Sequence, residues 1–290
     1  MTGQPEVFAA PAKLNLFLHV VGRRSDGYHL LQTAFRFIDY GDELSFRVRD
    51  DGLVRRVGNL PGVAQDQDLC VRAARLLQEV TGCKAGADIF LTKRIPMGGG
   101  LGGGSSDAAT TLLALNRLWK TGLSRAKLQM LGLRLGADVP VFVFGRSAFA
   151  EGIGEQLQAC DFAPQWYVVL APEASVSTAE IFAAPELTRN TNAIRIAPFS
   201  PDPGAPIHLA LKRGHNDLEA VVCRRYPQVA RPLEWLRQFG DARMSGSGAC
   251  VFVGVADAAR AQEIISSMPS DMRGFAARGL DRHPMWADGD

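Results

Sequence analysis

Lys93-Arg-Ile-Pro-Met-Gly-Gly-Gly-Leu-Gly-Gly-Gly-Ser-Ser-Asp107 places six glycines between Met97 and Ser105. Ahead of them, Asp88-Ile-Phe-Leu-Thr-Lys93 reads as a strand; behind them, Ala108, Leu112, Leu115 and Trp119 recur at the spacing of a helix. Ser105 or Ser106 can cap that helix with a side-chain oxygen. Residues without a β-carbon let backbone N–H groups approach a ligand, and a helix N-terminus adds partial positive charge, so this arrangement favours phosphate. A flexible linker would be flanked by polar low-complexity sequence instead. The dinucleotide spacing is present at Gly98, Gly100 and Gly103, but that fold wants an acid about twenty residues on, and none occurs between Asp107 and Asp138. A Walker loop needs Lys and then Ser or Thr after its last glycine, whereas Ser105 follows Gly104 directly. The stretch is therefore read as a polyphosphate cradle of another kind.

Upstream, Pro11 marks a break and an alternating strand runs from Lys13, with Lys13, Asn15, Phe17 and His19 on one face and Leu14, Leu16 and Leu18 on the other. Lys13 and Asn15 are either solvated or functional. Ser25-Asp-Gly27 signals a turn before Tyr28 and His29. An aromatic and an imidazole at a turn suit a planar polar base, and equally suit a half-buried tyrosine beside a surface histidine. Glu43 to Arg49 reads as a strand, Asp51-Gly52 as a hairpin turn into Leu53 to Val57, and Asp68 to Val80 as an amphipathic helix closed by Gly82.

Downstream, Ser124 caps a helix closed by Gly136, and Val141 to Phe144 reads as an apolar strand. Between them, Asp138 is wedged between Gly136 and Pro140, as a turn-former or as a functional base. Ser147 to Glu151 and Trp166 to Ala171 read as strands, and Ser175 to Phe182 begins a helix. Pro198 to Pro206, with four prolines, reads as an exposed loop, and Asn216-Asp-Leu-Glu219 has capping-box form. Met244-Ser-Gly-Ser-Gly-Ala249 is a second glycine-rich turn, structural or ligand-binding, leading into a strand from Cys250 to Val255. The tail after Asp281 is polar and expected to fray.

At 290 residues the chain suits two domains, expected at 1–160 and 161–290. With 32 Lys and Arg against 30 Asp and Glu, the charge gives no support for a nucleic-acid surface. Five cysteines, odd in number and without metal-type spacing, read as reduced thiols of a cytoplasmic protein. No signal-length or membrane-length apolar run is seen.

Pro11-Ala-Lys-Leu-Asn15, Pro96 to Ser106 and Ser245-Gly-Ser-Gly-Ala249 together resemble the three motifs of the GHMP kinase superfamily, named for galactokinase, homoserine kinase, mevalonate kinase and phosphomevalonate kinase. Asp26-Gly-Tyr-His29, Gly136-Ala-Asp-Val-Pro140 and Asn216-Asp-Leu-Glu219 bring it nearest to members that phosphorylate the 2-hydroxyl of a cytidine-diphosphate-linked methylerythritol. The resemblance implies an α+β chain with a ribosomal protein S5 domain 2-like N-terminal domain, a ferredoxin-like C-terminal domain and the active site in the cleft between them.

It further implies that Pro96, Met97, Gly98, Gly99, Gly100, Leu101, Gly102, Gly103, Gly104, Ser105 and Ser106 hold the ATP phosphates. Asp138 would take the acceptor's proton with Lys13 beside it, and Asn15 would position the methylerythritol. Tyr28, Phe35 and Phe182 would enclose the cytosine, His29 would read its edge, and Ser245, Gly246 and Ser247 would close over the substrate. Mg2+ accompanies ATP in this expectation, its ligands unassigned because no carboxylate pair has convincing spacing. The expected partner is a small molecule bearing cytidine diphosphate, with no nucleic acid and no membrane, for a monomer or weak homodimer. The competing expectations are a kinase for homoserine or mevalonate, and a silent nucleotide-binding module on the same fold.

Overall fold

A computed structural model describes residues 6–194 and 214–286. The Pro198 to Pro206 expectation lies outside them. The chain opens with two long antiparallel strands, β1 (Val7–Arg23) and β2 (His29–Arg49). β2 carries the first half: besides β1 it pairs with β4 (Gly86–Thr92), with β5 (Ala148–Glu151) and, at Phe37 and Ile38, with β10 (Gly274–Leu280). β10 then pairs with β7 (Trp166–Leu170), β7 with β9 (Val251–Val255), and β9 with the short β8 (Arg243–Met244).

Four helices pack in the first half: α1 (Leu69–Thr81), α2 (Gly103–Leu118), α3 (Arg125–Leu135) and α4 (Val139–Phe144). Asp68 caps α1 by accepting from the N–H groups of Cys70 and Val71, and Gly82 ends it in the left-handed conformation, as the sequence indicates. In the second half, α5 (Thr178–Ala183) follows β7, α6 (Glu219–Arg225) leads into α7 (Pro227–Arg237), which packs on β9, and α8 (Ala258–Ser266) packs on β7 and β10.

Several expectations are corrected. Pro11 does not interrupt β1; it pairs with Gly41, and the register shifts just after it, so the missing N–H is absorbed at a bulge. A second shift between Asn15 and Leu18 breaks the alternation: Phe17 joins Leu14 and Leu16 in one buried cluster, and Leu18 turns toward the cavity that Lys13 and Asn15 line. Asp51-Gly52 does not close a hairpin, because β3 (Val54–Val57) runs parallel to β4 and never pairs with β2. Val141 to Phe144 lies in helix α4, whose residues from Val139 to Val143 are all buried. β6 (Gln156–Ala159), paired with β5, carried no signal that was read. The segment after Asp281 does not fray as far as Trp286: His283 is buried and its N–H donates to Gly145 O at 2.8 Å.

Candidate active site

α2 begins at Gly103, with Gly102 in the left-handed conformation at its N-cap and no capping side chain. Ser105 and Ser106 therefore do not cap; both lie inside the helix. The first residues of the helix, whose N–H groups have no partner within it, line a cavity of about 390 Å3 together with Pro96 to Gly102 and Asp107. Ser106 is absent from that lining: it is fully buried and its hydroxyl donates to Pro11 O at 2.7 Å, fastening α2 to β1. Leu60, Val63, Leu69 and Leu91 supply the cavity with an apolar wall.

Beneath the loop, Lys93 Nζ bonds to Asp42 and, at 2.6 Å, to Asp107. Burial pushes the Asp107 carboxyl up to about 8 against the opposing pull of Lys93. Burial also opposes the charge of Lys93, but Asp107 and Asp42 outweigh it and hold its pKa above the ordinary value. Asp107 Oδ1 is buried without a hydrogen-bond partner.

Lys13 is the neighbouring centre. Its backbone N–H donates to Leu101 O at 3.0 Å, which docks β1 on the glycine loop. Its Nζ bonds to Asn15 Oδ1 and to Gly100 O at 3.1 Å, sits 5.4 Å from the Phe35 ring centre, and lies 3.2 Å from Asp138 Oδ2. The lysine is only 2 % exposed while Asp138 is 37 % exposed, so a fixed buried cation holds a carboxylate that opens on the cavity. Asp138 stands in the turn where α4 begins, and its side chain caps nothing there. Asn15 Nδ2 donates to Thr33 Oγ1 at 2.9 Å, leaving no freedom in the pair's immediate support.

The second cavity, about 700 Å3, contains Lys13, Asn15 and Asp138 at its base and Tyr28, His29 and Phe182 along its wall. Tyr28 is 62 % exposed on the β1–β2 turn, so the half-buried alternative does not hold. His29 stacks on Phe182 with ring centres 4.9 Å apart. Phe35, by contrast, is buried under Lys13 and forms floor rather than wall. Gly246 and Ser247 line this cavity, and Ser247 Oγ meets Thr178 Oγ1 at 2.7 Å across it. Ser245 sits behind it, fully buried, donating to Gly100 O at 3.0 Å and accepting from Asn15 N at 3.1 Å. Gly100 and Ser105 line both cavities, so the two adjoin there, beside the Lys13 ammonium that bonds to Gly100 O.

Asn216-Asp-Leu-Glu219 forms no capping box; the N-cap of α6 is Leu218, without a side-chain cap. Asn216 Nδ2 instead donates to Met244 O and Gly246 O, both at 2.8 Å, and Glu219 Oε2 accepts from Met244 N at 2.8 Å. These residues hold the second glycine turn. Arg23, Thr33 and Thr178 are ordinary residue types with no local signal that only the fold brings to the cavity, and Arg189 reaches it only through its bond to His29.

Residues 68–146 match the model of the GHMP kinases N terminal domain and residues 200–274 that of the GHMP kinases C terminal. The 4-diphosphocytidyl-2-C-methyl-D-erythritol kinase of Thiobacillus denitrificans is 62 % identical over 281 residues, covering 97 % of this chain and 98 % of that protein. The protein of the same name from Azoarcus sp. is 61 % identical, covering 96 % and 95 %. A crystal structure of 4-(cytidine 5'-diphospho)-2C-methyl-D-erythritol kinase superposes with a TM-score of 0.77 at 35 % identity, covering 94 % of this chain and 99 % of that one. The fold is that of a small-molecule kinase of the GHMP superfamily. Within it, the chain belongs to the family of 4-diphosphocytidyl-2-C-methyl-D-erythritol kinases.

Proposed function

We infer that the chain transfers the terminal phosphoryl group of ATP to the 2-hydroxyl of 4-diphosphocytidyl-2-C-methyl-D-erythritol, giving the 2-phosphate and ADP in the non-mevalonate route to isopentenyl diphosphate. The observation that carries this reading is the Lys13–Asp138 pair, 3.2 Å apart in the larger cavity and bonded to Gly100, which lines both cavities. Phosphoryl transfer leaves a protein mostly positioning and charge stabilisation to perform. In this reading Asp138 accepts the proton of the attacking hydroxyl, and the Lys13 ammonium orients that carboxylate and meets the charge that develops on the transferred group. Asn15, bonded to Lys13 and Thr33, positions the methylerythritol. Gly98 to Ser105 and the start of α2 cradle the ATP phosphates, and the apolar wall from Leu60 to Leu91 takes the nucleoside.

The cytosine lies against Tyr28 and Phe182, with His29 at its polar edge. Stacking walls of this kind have no use for homoserine or mevalonate, and a silent binding module has no use for a buried lysine aimed at an exposed carboxylate. In this reading residues 1–160 and 161–290 act as the two domains flanking the cleft, in a cytoplasmic monomer or weak homodimer.

Mg2+ bound with ATP would supply charge shielding of its phosphates. Among the described residues no group of three or more His, Cys, Asp or Glu could hold a metal ion. An ion carried on a nucleotide asks for only one or two protein carboxylates; of those lining the phosphate cavity, Asp107 would hold it once its burial-raised carboxyl gives up its proton.

The test is ADP release by the purified protein with ATP, Mg2+ and 4-diphosphocytidyl-2-C-methyl-D-erythritol, with homoserine and mevalonate in parallel. Turnover confined to the cytidylated acceptor is expected. Turnover with another alcohol would overturn the cytosine reading, and silence with all three would overturn the kinase reading.

A further inference from the structure

Arg189 lies outside every motif discussed above, yet its guanidinium is engaged on three sides. Nη1 donates to Leu187 O at 3.1 Å, and Nη2 to Phe182 O at 3.0 Å and Ala184 O at 2.6 Å. Nε donates to His29 Nε2 at 3.2 Å. One side chain thus grips the backbone at the end of α5, including that of Phe182, and the imidazole stacked on the Phe182 ring.

An arginine keeps its protons in proteins and has no acceptor atom. In this contact the N–H belongs to Arg189, and His29 Nε2 must supply a lone pair. A neutral imidazole with its lone pair on Nε2 carries its single proton on Nδ1. A doubly protonated ring is disfavoured, because it would set one N–H against another beside a second cation. Burial, then Arg189 and Arg23, push the pKa of His29 below its ordinary value, which agrees with a neutral ring. Nδ1 has no hydrogen-bond partner among the described residues, and His29 lines the larger cavity.

We propose that Arg189 is a positioning residue that locks His29 as the Nδ1–H tautomer, so that the cavity offers a hydrogen-bond donor to the acceptor edge, O2 and N3, of a cytosine. The base-reading half of this proposal rests on the assignment of the larger cavity to the cytidine. The opposite tautomer would present an acceptor and suit the exocyclic amine instead. Free rotation of the ring would present neither reliably.

The test combines histidine 15N correlation spectra with steady-state kinetics on the full chain, the His29 signals being assigned through His29→Gln. Expected in the wild type is a protonated Nδ1 and a bare Nε2, with Nδ1 moving on addition of cytidine 5'-diphosphate. In Arg189→Ala a mixture of tautomers is expected, with KM for the cytidylated acceptor raised about tenfold or more and kcat and KM for ATP within about twofold; a tenfold rise is about 1.4 kcal/mol. Arg189→Lys, which keeps one donor, should recover part of the loss, and it carries the same spectral readout if the alanine variant does not fold. A protonated Nε2 in the wild type would overturn the proposal. So would an unchanged tautomer and KM in the variants. A locked Nδ1–H that ignores saturating cytidine 5'-diphosphate would overturn the base-reading half and place the failure in the cavity assignment rather than in the Arg189 contact.

Discussion

A buried ammonium next to a half-open carboxylate is an expensive arrangement to fold, and each of its supports has a cause in the chain. Lys13 would be costly to bury unpaired; Asn15 Oδ1 and Gly100 O accept hydrogen bonds from it, Asp138 Oδ2 supplies the opposite charge at 3.2 Å, and the Phe35 face lies under it. Asp138 is exposed enough to meet a substrate hydroxyl and is spared from capping α4. Asp138→Asn and Lys13→Met are therefore expected to lower kcat by about a hundred- to ten-thousand-fold, the range of an oriented general base, with the Asp138 variant melting like the parent. Steady-state ADP release and a thermal melt check both; a kcat within a few-fold of the parent would remove that residue from the chemistry. Tyr28 contributes differently, since an exposed ring on a turn supports nothing in the fold. Stacking of a base on an aromatic is worth about 1–3 kcal/mol, so Tyr28→Ala should raise KM for the cytidylated acceptor about five- to a hundred-fold and leave KM for ATP unmoved. Equal rises in both would count against a base there.

At the level of elements the site is a crossing of two glycine-rich turns. Gly100 has φ of +74°, and a β-carbon on it would stand 2.1 Å from Ser245 O, so the first loop touches the second through bare backbone. A left-handed alanine costs about 1–2 kcal/mol before any clash. Gly100→Ala is thus expected to destabilise the protein by more than about 2 kcal/mol in denaturant unfolding and to weaken ATP and acceptor together; loss of one substrate alone would mean that the crossing is not shared. Much of this element was legible beforehand. The glycine run, the cap of α1 and the Lys13-x-Asn15 pair each carry a local signal that tertiary packing did not overrule. Other parts were not. Val139 to Phe144 is apolar at every position but Pro140, so it shows neither a period of two nor of 3.6, and only its tertiary packing, with Val139 to Val143 all buried, separates helix from strand. β3 pairs in parallel with a strand about thirty residues later, a choice that no turn residue announces. Ser106, Ser245 and Asn216 look like ligand-binding or capping residues in sequence and are spent on holding the loops.

For the whole molecule, the decisive strand is the last. β10 pairs with β2 of the first half and β7 of the second, and the buried cluster of Leu14, Phe17, Ile38, Tyr167, Val169, Phe252 and Ala277 fills the space between them. The cleft walls therefore belong to one continuous sheet. The segment after β10 turns back onto the first half: Ser147 N–H donates to Asp281 O at 2.7 Å, and Arg125 lies over the Trp286 ring at 4.7 Å. His283 sits at the centre of this return. It is 2 % exposed, its ring edge meets Phe37, and its Nδ1 accepts from Met285 N at 3.1 Å. Burial, with Arg125 adding, lowers its pKa from 6.5 to about 3. The sign follows from linkage. Between those values the unfolded chain binds a proton that the folded chain refuses, so stability is undiminished above about pH 6.5 and falls as the pH drops toward 3, by at most about 1.4 kcal/mol per pH unit for one such group. His283→Asn keeps an acceptor near the Nδ1 position and cannot take up the proton. Unfolding free energies measured by denaturant across this pH window should therefore decline less steeply in His283→Asn than in the parent, even if the variant is the less stable protein at pH 7. Parallel slopes would show that the acid sensitivity of the docked tail lies elsewhere.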